Sequence, residues 1–335
     1  MSLYHIVTQR LKKSEIYYLS KSIRVNDKVL KIRIKIGKTK PTPEEEQALV
    51  STPNLRLEIK ALEKRVEICL DSYKPKHLSP SNVQRLEKTK HWNHFFRLFL
   101  TKSEIEYLRE TSRVEHIHGT TAIEGNTLSL QQVDDLLNRE IVPSSKSLRE
   151  INEIQNYIAV ENYLSDYSGK VTLQLIRKLH ELIMDNIDLE SAGQFRRIDT
   201  IGIRGADLAV TPSILIESEL ESIINQYYRN IQSVGHPFEE AILFHYRFEV
   251  THPFTDGNGR VGREILNYML ERTGFPRLVI KAASREKYIN TLKDGNKGDY
   301  EEMLTDFINL LEDKRAQVFE EILGARSLSS SLEAP

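Results

Sequence analysis

The chain has 335 residues, 39% hydrophobic and 28% charged, with a net charge of −1, a makeup that suits a soluble globular protein long enough for two or more cores. Its one cysteine, Cys69, excludes an internal disulfide. There is neither an apolar run near ~18 residues nor a charged-then-apolar leader at Met1, so no membrane span is expected and the expected location is cytoplasmic.

The charge is unevenly spread. Residues 1–40 hold eleven Lys and Arg against Glu15 and Asp27, a net of +9 that leaves −10 for the remainder. In the same stretch Leu30, Ile32, Ile34 and Ile36 alternate with Lys31, Arg33 and Lys35, the pattern of a half-buried strand. Ile16 to Arg24 can pair with it across Val25-Asn26-Asp27, which predicts a small antiparallel β subdomain over 1–40 with one basic face. Such a face suits nucleic acid or an acidic partner, and equally a solvated lysine surface guarding a sheet edge. Residues 41–53 are rich in Pro and Glu and read as a linker. From Asn54 the pattern is helical, with breaks at 74–81, 141–147 and 167–172, so 41–109 is assigned to linker and N-terminal helices. Cys69 shares an apolar helical face with Leu62, Val66 and Leu70 and reads as a buried structural residue. Ser81 to His118 reads as one element, whose Trp92, Phe95, Phe96, Phe99 and Leu100 form a packing stripe. His91 and His94 on it have no carboxylate or cysteine cluster beside them in the sequence, which argues against a metal.

Next comes Thr120-Thr121-Ala122-Ile123-Glu124-Gly125-Asn126, a helix end with Gly125 suited to the left-handed C′ position, followed by a capping box from Ser129 to Gln132. Gly193 to Arg197 and then Ile201 to Gly205 read as a short alternating strand between turns. His236-Pro237-Phe238, followed by Glu239-Glu240-Ala241, reads as a helix start.

His252-Pro253-Phe254-Thr255-Asp256-Gly257-Asn258-Gly259-Arg260-Val261-Gly262-Arg263 places a base, an acid, a flexible anion cradle and two arginines in one loop-to-helix turn. Gly257 and Gly259 allow φ > 0 and let backbone N–H groups converge on an anion. The amphipathic helix predicted from Val261 to Glu271 adds the positive end of its dipole. Asp256 is a hard oxygen ligand of the kind Mg²⁺ takes. Arg260 and Arg263 offer fork-shaped donors, and the imidazole of His252 suits removal of a proton from a hydroxyl at neutral pH.

This string resembles the H-P-F-x-[DE]-G-N-G-R-x-x-R motif of the Fic family, enzymes that transfer AMP from ATP to protein hydroxyls. The resemblance implies His252 as the catalytic base, Asp256 as the Mg²⁺ ligand, and Thr255, Asp256, Gly257, Asn258, Gly259, Arg260 and Arg263 as the grip on ATP. Thr120 to Asn126 is similar to the [ST]-x-x-x-E-[GN] inhibitory helix of self-inhibited members, which implies an inhibitory helix over about 112–125 whose Glu124 competes for Arg263. Ile201, Gly202 and Ile203 resemble the flap that docks the target segment. Tyr288 and Asn296, in Arg285 to Ile289 and Gly295 to Asp299, resemble the stretch that lines the nucleotide base.

The expected fold is therefore mainly α: a Fic-type helical core over 110–311 with a β-hairpin flap, then a helix end and flexible tail over 312–335. The implied partner is a protein with a modifiable Ser, Thr or Tyr hydroxyl, the chain itself included, and the resemblance allows a homodimer. Removal of AMP, transfer of another nucleotide or phospho-group, and a non-enzymatic nucleic-acid-binding role for the basic sheet are the alternatives.

Overall fold

The computed structural model describes residues 3–25, 28–199 and 210–312. They divide into two compact units, one drawn from residues 3–73 and 80–105, the other from 74–79 and 106–312.

In the first unit, β1 (His5–Leu11), β2 (Ser14–Val25) and β3 (Lys28–Gly37) form an antiparallel sheet in the order β1-β2-β3. Ile23 lies opposite Leu30 and Val25 opposite Lys28, the pairing expected from the alternation. Leu19, Ile23, Val25 and Ile32 cluster with Leu57, Ala61 and Cys69 of α2 (Leu55–Leu70), while Lys28, Lys31, Arg33 and Lys35 are exposed. The period-2 pattern thus separates a buried face from a basic one. β1, with little apolar alternation of its own, takes the other edge of β2. Glu58 of α2 is buried against the ammonium of Lys21, 2.6 Å away, and accepts a 2.7 Å bond from the hydroxyl of Tyr4.

Two expectations are corrected here. Residues 41–53 are not simply a linker, because Pro43–Ser51 forms α1. Thr42 and Glu45 make a reciprocal capping box and Pro43 takes the first helical position, where its missing N–H costs nothing. Ser81 to His118 is two helices, α3 (Pro80–Phe96) and α4 (Lys102–Ile123). The break is chemical: the backbone N–H of Thr101 donates to Glu104 and that of Glu104 to the hydroxyl of Thr101, so a second capping box starts a new helix. The aromatic stripe does pack, with Trp92, Phe95, Phe99 and Leu100 against Leu62 and Val66.

The second unit is helical: α4 is followed by α5 (Leu130–Asn138), α6 (Leu148–Asp166), α7 (Leu173–Ile183), α8 (Ile216–Gln232), α9 (Pro237–Thr251), α10 (Asn258–Arg272), α11 (Arg285–Asn296) and α12 (Tyr300–Leu311). The Ser129–Gln132 capping box opens α5, and His236 precedes Pro237 at the start of α9, both as predicted. α10 is buried from Asn258 to Leu270 except at Gly259, and it packs against α9 and α7. A helix covered all round must find partners for the polar side chains it carries, and Asn258, Arg260, Arg263, Glu264 and Asn267 are the buried ones. Ile201, Gly202 and Ile203 lie outside the described residues, and residues 193–199 run without strand pairing.

Candidate active site

The site is built on the turn between α9 and α10. α9 ends at Thr251, and His252 sits in the left-handed region at φ 47° and ψ 60°, which turns the chain sharply. Arg196, fully buried, fixes that turn from outside: its guanidinium donates to the carbonyls of His252 at 2.8 Å and Thr251 at 3.3 Å, and also to that of Thr211. The backbone N–H of Arg196 donates to the carbonyl of Pro253 at 2.9 Å. The ring of His252 is partly buried with its Nδ1 enclosed, and burial pushes its pKa below the usual imidazole value against the pull of the Glu249 carbonyl. A neutral imidazole at pH 7 is the form that can accept a proton.

After His252 the loop closes on itself. Asn258 accepts from the N–H of Phe254 and donates to its carbonyl, both at 2.8 Å, so one buried amide spans the loop. Phe254 stacks flat on His180 with ring centroids 3.7 Å apart. His180 Nδ1 accepts from the N–H of Gly193 at 2.9 Å, which leaves Nε2 as the protonated nitrogen donating to the carbonyl of Asp256 at 3.0 Å. Burial pushes His180 down to about 4, keeping that tautomer neutral. Gly257 follows at φ 77°, where a side chain would be strained and would crowd the sulfur of Met184. Among the described residues no side chain caps α10, so its first N–H groups face the loop.

The charged groups converge around this helix end. One oxygen of Asp256 accepts from Arg149 at 2.6 Å, the other from the Gly257 N–H at 2.6 Å and from Arg260 at 3.3 Å. Burial would raise the Asp256 pKa, but Arg260, the Gly257 amide and Arg149 outweigh it and hold the carboxyl below its usual range. Arg260 is 1% exposed, lies 3.5 Å from Glu153, and has Nε and Nη1 enclosed without a hydrogen-bond acceptor among the described residues. Arg263 donates through Nε to the hydroxyl of Thr120 at 2.8 Å, and through Nη2 to the carbonyl of Thr120 at 2.9 Å and the carboxylate of Glu124 at 2.8 Å.

Glu124 reaches Arg263 because α4 stops there. Gly125 at φ 106°, the Asn126 N–H on the Thr121 carbonyl and the Gly125 N–H on the Ala122 carbonyl make a Schellman turn. His116, Thr120 and Glu124 stand four residues apart and present one stripe to α10, where His116 pairs with Glu264 and the other two hold Arg263. The Glu124 carboxylate lies so close to Gly259 that a Cβ there would fall inside its contact distance.

Tyr288 is 3% exposed, donates to or accepts from His245 Nε2 at 2.8 Å, and lies with its ring 5.7 Å from the Arg263 guanidinium, bracing that side chain. Asn296, at the end of α11, accepts from the hydroxyl of Tyr246 at 2.9 Å. Glu249 of α9, 13% exposed, lies between His245 and Gly262. Burial pushes it up to about 7, with Arg263 opposing and Glu124 adding to the rise.

Residues 170–270, which hold this loop and the helices that frame it, match the Fic/DOC family. The chain carries a Fic domain. A protein adenylyltransferase of Caenorhabditis elegans is 31% identical over 228 residues, 67% of this chain and 43% of that protein. A protein adenylyltransferase Fic of Culex quinquefasciatus is 28% identical over 67% of this chain and 44% of its own length. The chain thus spans less than half the length of these curated relatives. Among solved structures, a Fic family protein of Desulfovibrio desulfuricans superposes with a TM-score of 0.61 at 24% identity, over 74% of this chain and 77% of that one. A Fic protein of C. elegans gives 0.56 at 24% identity, over 87% and 80%. The mainly helical Fic fold expected from the sequence is thereby shared.

The Fic loop also depends on His180, Arg149, Glu153, Glu249 and the clasp made by Arg196, none of which carried a site signal of its own in the sequence. Only Arg196 stood in a singled-out segment, and there as part of the expected flap rather than as the brace of His252. Among the described residues no helix is long and apolar enough to cross a membrane.

Proposed function

We propose that this chain transfers AMP from ATP to a Ser, Thr or Tyr hydroxyl of a protein, and that Glu124 restrains the reaction. The observation that carries the reading is the convergence on one uncapped helix N-terminus of a neutral, partly enclosed His252, the carboxylate of Asp256, and two arginines with Arg263 already engaged by an acid. Curated relatives named as protein adenylyltransferases support the same chemistry.

In this mechanism the oxygen of the target hydroxyl forms a bond to the α-phosphorus, the bond to the β-phosphate oxygen breaks, pyrophosphate departs, and the hydroxyl proton passes to His252. The first N–H groups of α10 and the enclosed guanidinium of Arg260, whose Nε and Nη1 make no hydrogen bond among the described residues, suit the oxygens of the triphosphate. Asp256 fits a divalent cation, and Mg²⁺ held there supplies charge neutralisation for the triphosphate. Arg149, 2.6 Å from Asp256, competes with that cation for the same carboxylate. Arg263 cannot serve a phosphate while Thr120 and Glu124 hold it, and the Glu124 charge beside Gly259 repels an anion from the cradle. Tyr288 and Asn296 are assigned to the base end of the nucleotide, and Tyr288 in addition braces Arg263. Ile201, Gly202 and Ile203 are assigned to target docking, and a homodimer and the cytoplasmic location belong to the same reading.

The test is transfer of α-labelled ATP to protein with Mg²⁺ present. The Glu124→Gly protein should label faster than the parent, by a mass of one AMP, and adding His252→Ala should abolish labelling in a folded protein. A Glu124→Gly protein no more active than the parent would refute the restraint, and a different added mass would reassign the transferred group.

A further inference from the structure

Outside the nucleotide site, the first unit brings together three side chains that the sequence keeps apart. Cys69 lies one residue before the end of α2, and Glu87 and His91 stand four apart on α3, hence on one helical face. The sulfur of Cys69 is 3.8 Å from His91 Nε2, and that nitrogen is 3.5 Å from Glu87 Oε2. All three candidate ligand atoms lie within 4.8 Å of one another. Cys69 and Glu87 are buried and His91 is partly open, so the cluster has a closed floor and a side reachable from solvent. His91 in the sequence lacked acid or thiol company; folding supplies both.

We propose that Cys69, Glu87 and His91 form a binding site for a divalent metal of the zinc class, clipping the end of α2 to α3. The spacing argues for it. Tetrahedral zinc with its usual bond lengths puts sulfur and nitrogen roughly 3.6 Å apart and nitrogen and carboxylate oxygen about 3.3 Å apart. The two measured edges exceed these by a few tenths of an ångström, within reach of a small side-chain rotation. Charge argues for it as well. A thiolate and a carboxylate neutralise a dication while imidazole adds no charge, and the ammonium of Lys90 beside the cluster is itself partly exposed to water. The donor set of sulfur, nitrogen and one oxygen is borderline-soft, which favours zinc over magnesium or calcium. Lys90 stands 3.7 Å from Glu87 Oε1, which leaves Oε2 as the oxygen turned to His91. Water on the open side of His91 completes the coordination.

The chain's single cysteine makes the test unambiguous. The full-length protein, stripped with a chelator, is titrated with Co²⁺ and its near-ultraviolet absorption followed for a sulfur-to-cobalt charge-transfer band. The expected result is a band that saturates at one cobalt per chain, is erased by added Zn²⁺, and is absent in Cys69→Ser. Co²⁺ affinity should fall at least tenfold in His91→Gln, a change at a partly exposed position that leaves the helix intact. No sulfur band in the parent would overturn the site without recourse to any variant. Saturation at half an equivalent would do the same, since it would mean two chains sharing one ion through their thiols, and so would unchanged affinity in His91→Gln.

Discussion

His180 and Glu249 show how much of the site rests on groups that need never touch a substrate. His180 ties the Asp256 carbonyl to the Gly193 amide through one fixed tautomer and lies flat under Phe254. Its replacement by Ala removes the support beneath the loop and leaves its chemistry in place. We expect transfer to fall by roughly 100-fold, the scale of a misplacement near 1 Å, and the melting temperature to fall with it, because a fully buried ring is replaced by a cavity and two backbone groups lose their partner. Activity within a factor of two of the parent would show that Asn258 and the Arg196 clasp hold the loop without His180. Glu249 carries a pH signature. Its folded pKa is raised by burial from the ordinary 4.5 to about 7, so the stability it lends as a neutral acid is complete below pH 4.5 and is lost as pH rises through about 7. Glu249→Gln should therefore flatten the decline in thermal stability between those pH values, by about 2–3 kcal/mol at the upper end. Equal pH slopes in the two proteins would place Glu249 in contact with water instead.

At the scale of elements, the turn that ends α4 decides where Glu124 points. Gly125 sits at φ 106° with nothing within 4 Å of a would-be Cβ, so an alanine there meets backbone strain and no clash. Gly125→Ala should cost about 1–2 kcal/mol and loosen the Schellman turn. The transfer rate should rise toward that of Glu124→Gly. Lost stability with an unaltered rate would mean that Thr120 and His116 hold the stripe without the turn. The same element shows what a sequence gives away. The helix end, the capping box at Ser129 and the loop from His252 to Arg263 were legible because each is contiguous and each residue type has a local reason to be there. The break at Thr101 and the helix at Pro43–Ser51 were written in the same capping code, but aromatic spacing masked the first and a Pro/Glu-rich composition the second. His180, Arg149 and Glu153 left no local trace. Their partners at Asp256 and Arg260 lie 76 to 107 residues away, and a His or Arg on a helix looks the same in sequence whether it braces a loop or meets solvent.

At the scale of the whole molecule, charge and hydrophobic period together made the N-terminal sheet readable, yet not what fixes it. The net of +9 in residues 1–40 sits beside a remainder at −10, and the structure sends Lys28, Lys31, Arg33 and Lys35 outward while turning Lys21 inward. Lys21 turns inward to meet a buried acid. Glu58, on the helix the sheet packs against, is 5% exposed and takes its charge balance from that ammonium at 2.6 Å. Removing the cation alone leaves a buried carboxylate with only the Tyr4 hydroxyl as donor among the described residues. Lys21→Met should then cost about 3 kcal/mol in urea unfolding, whereas Lys21→Met with Glu58→Leu should recover most of it, because two apolar groups replace the pair without an orphaned charge. The basic face stays untouched in both proteins, so this cycle separates the inward lysine from the outward ones. A single-variant loss below about 0.5 kcal/mol would match an exposed pair and would mean that solvent reaches Glu58. The sheet would then be held by Leu19, Ile23, Val25 and Ile32 against α2 alone.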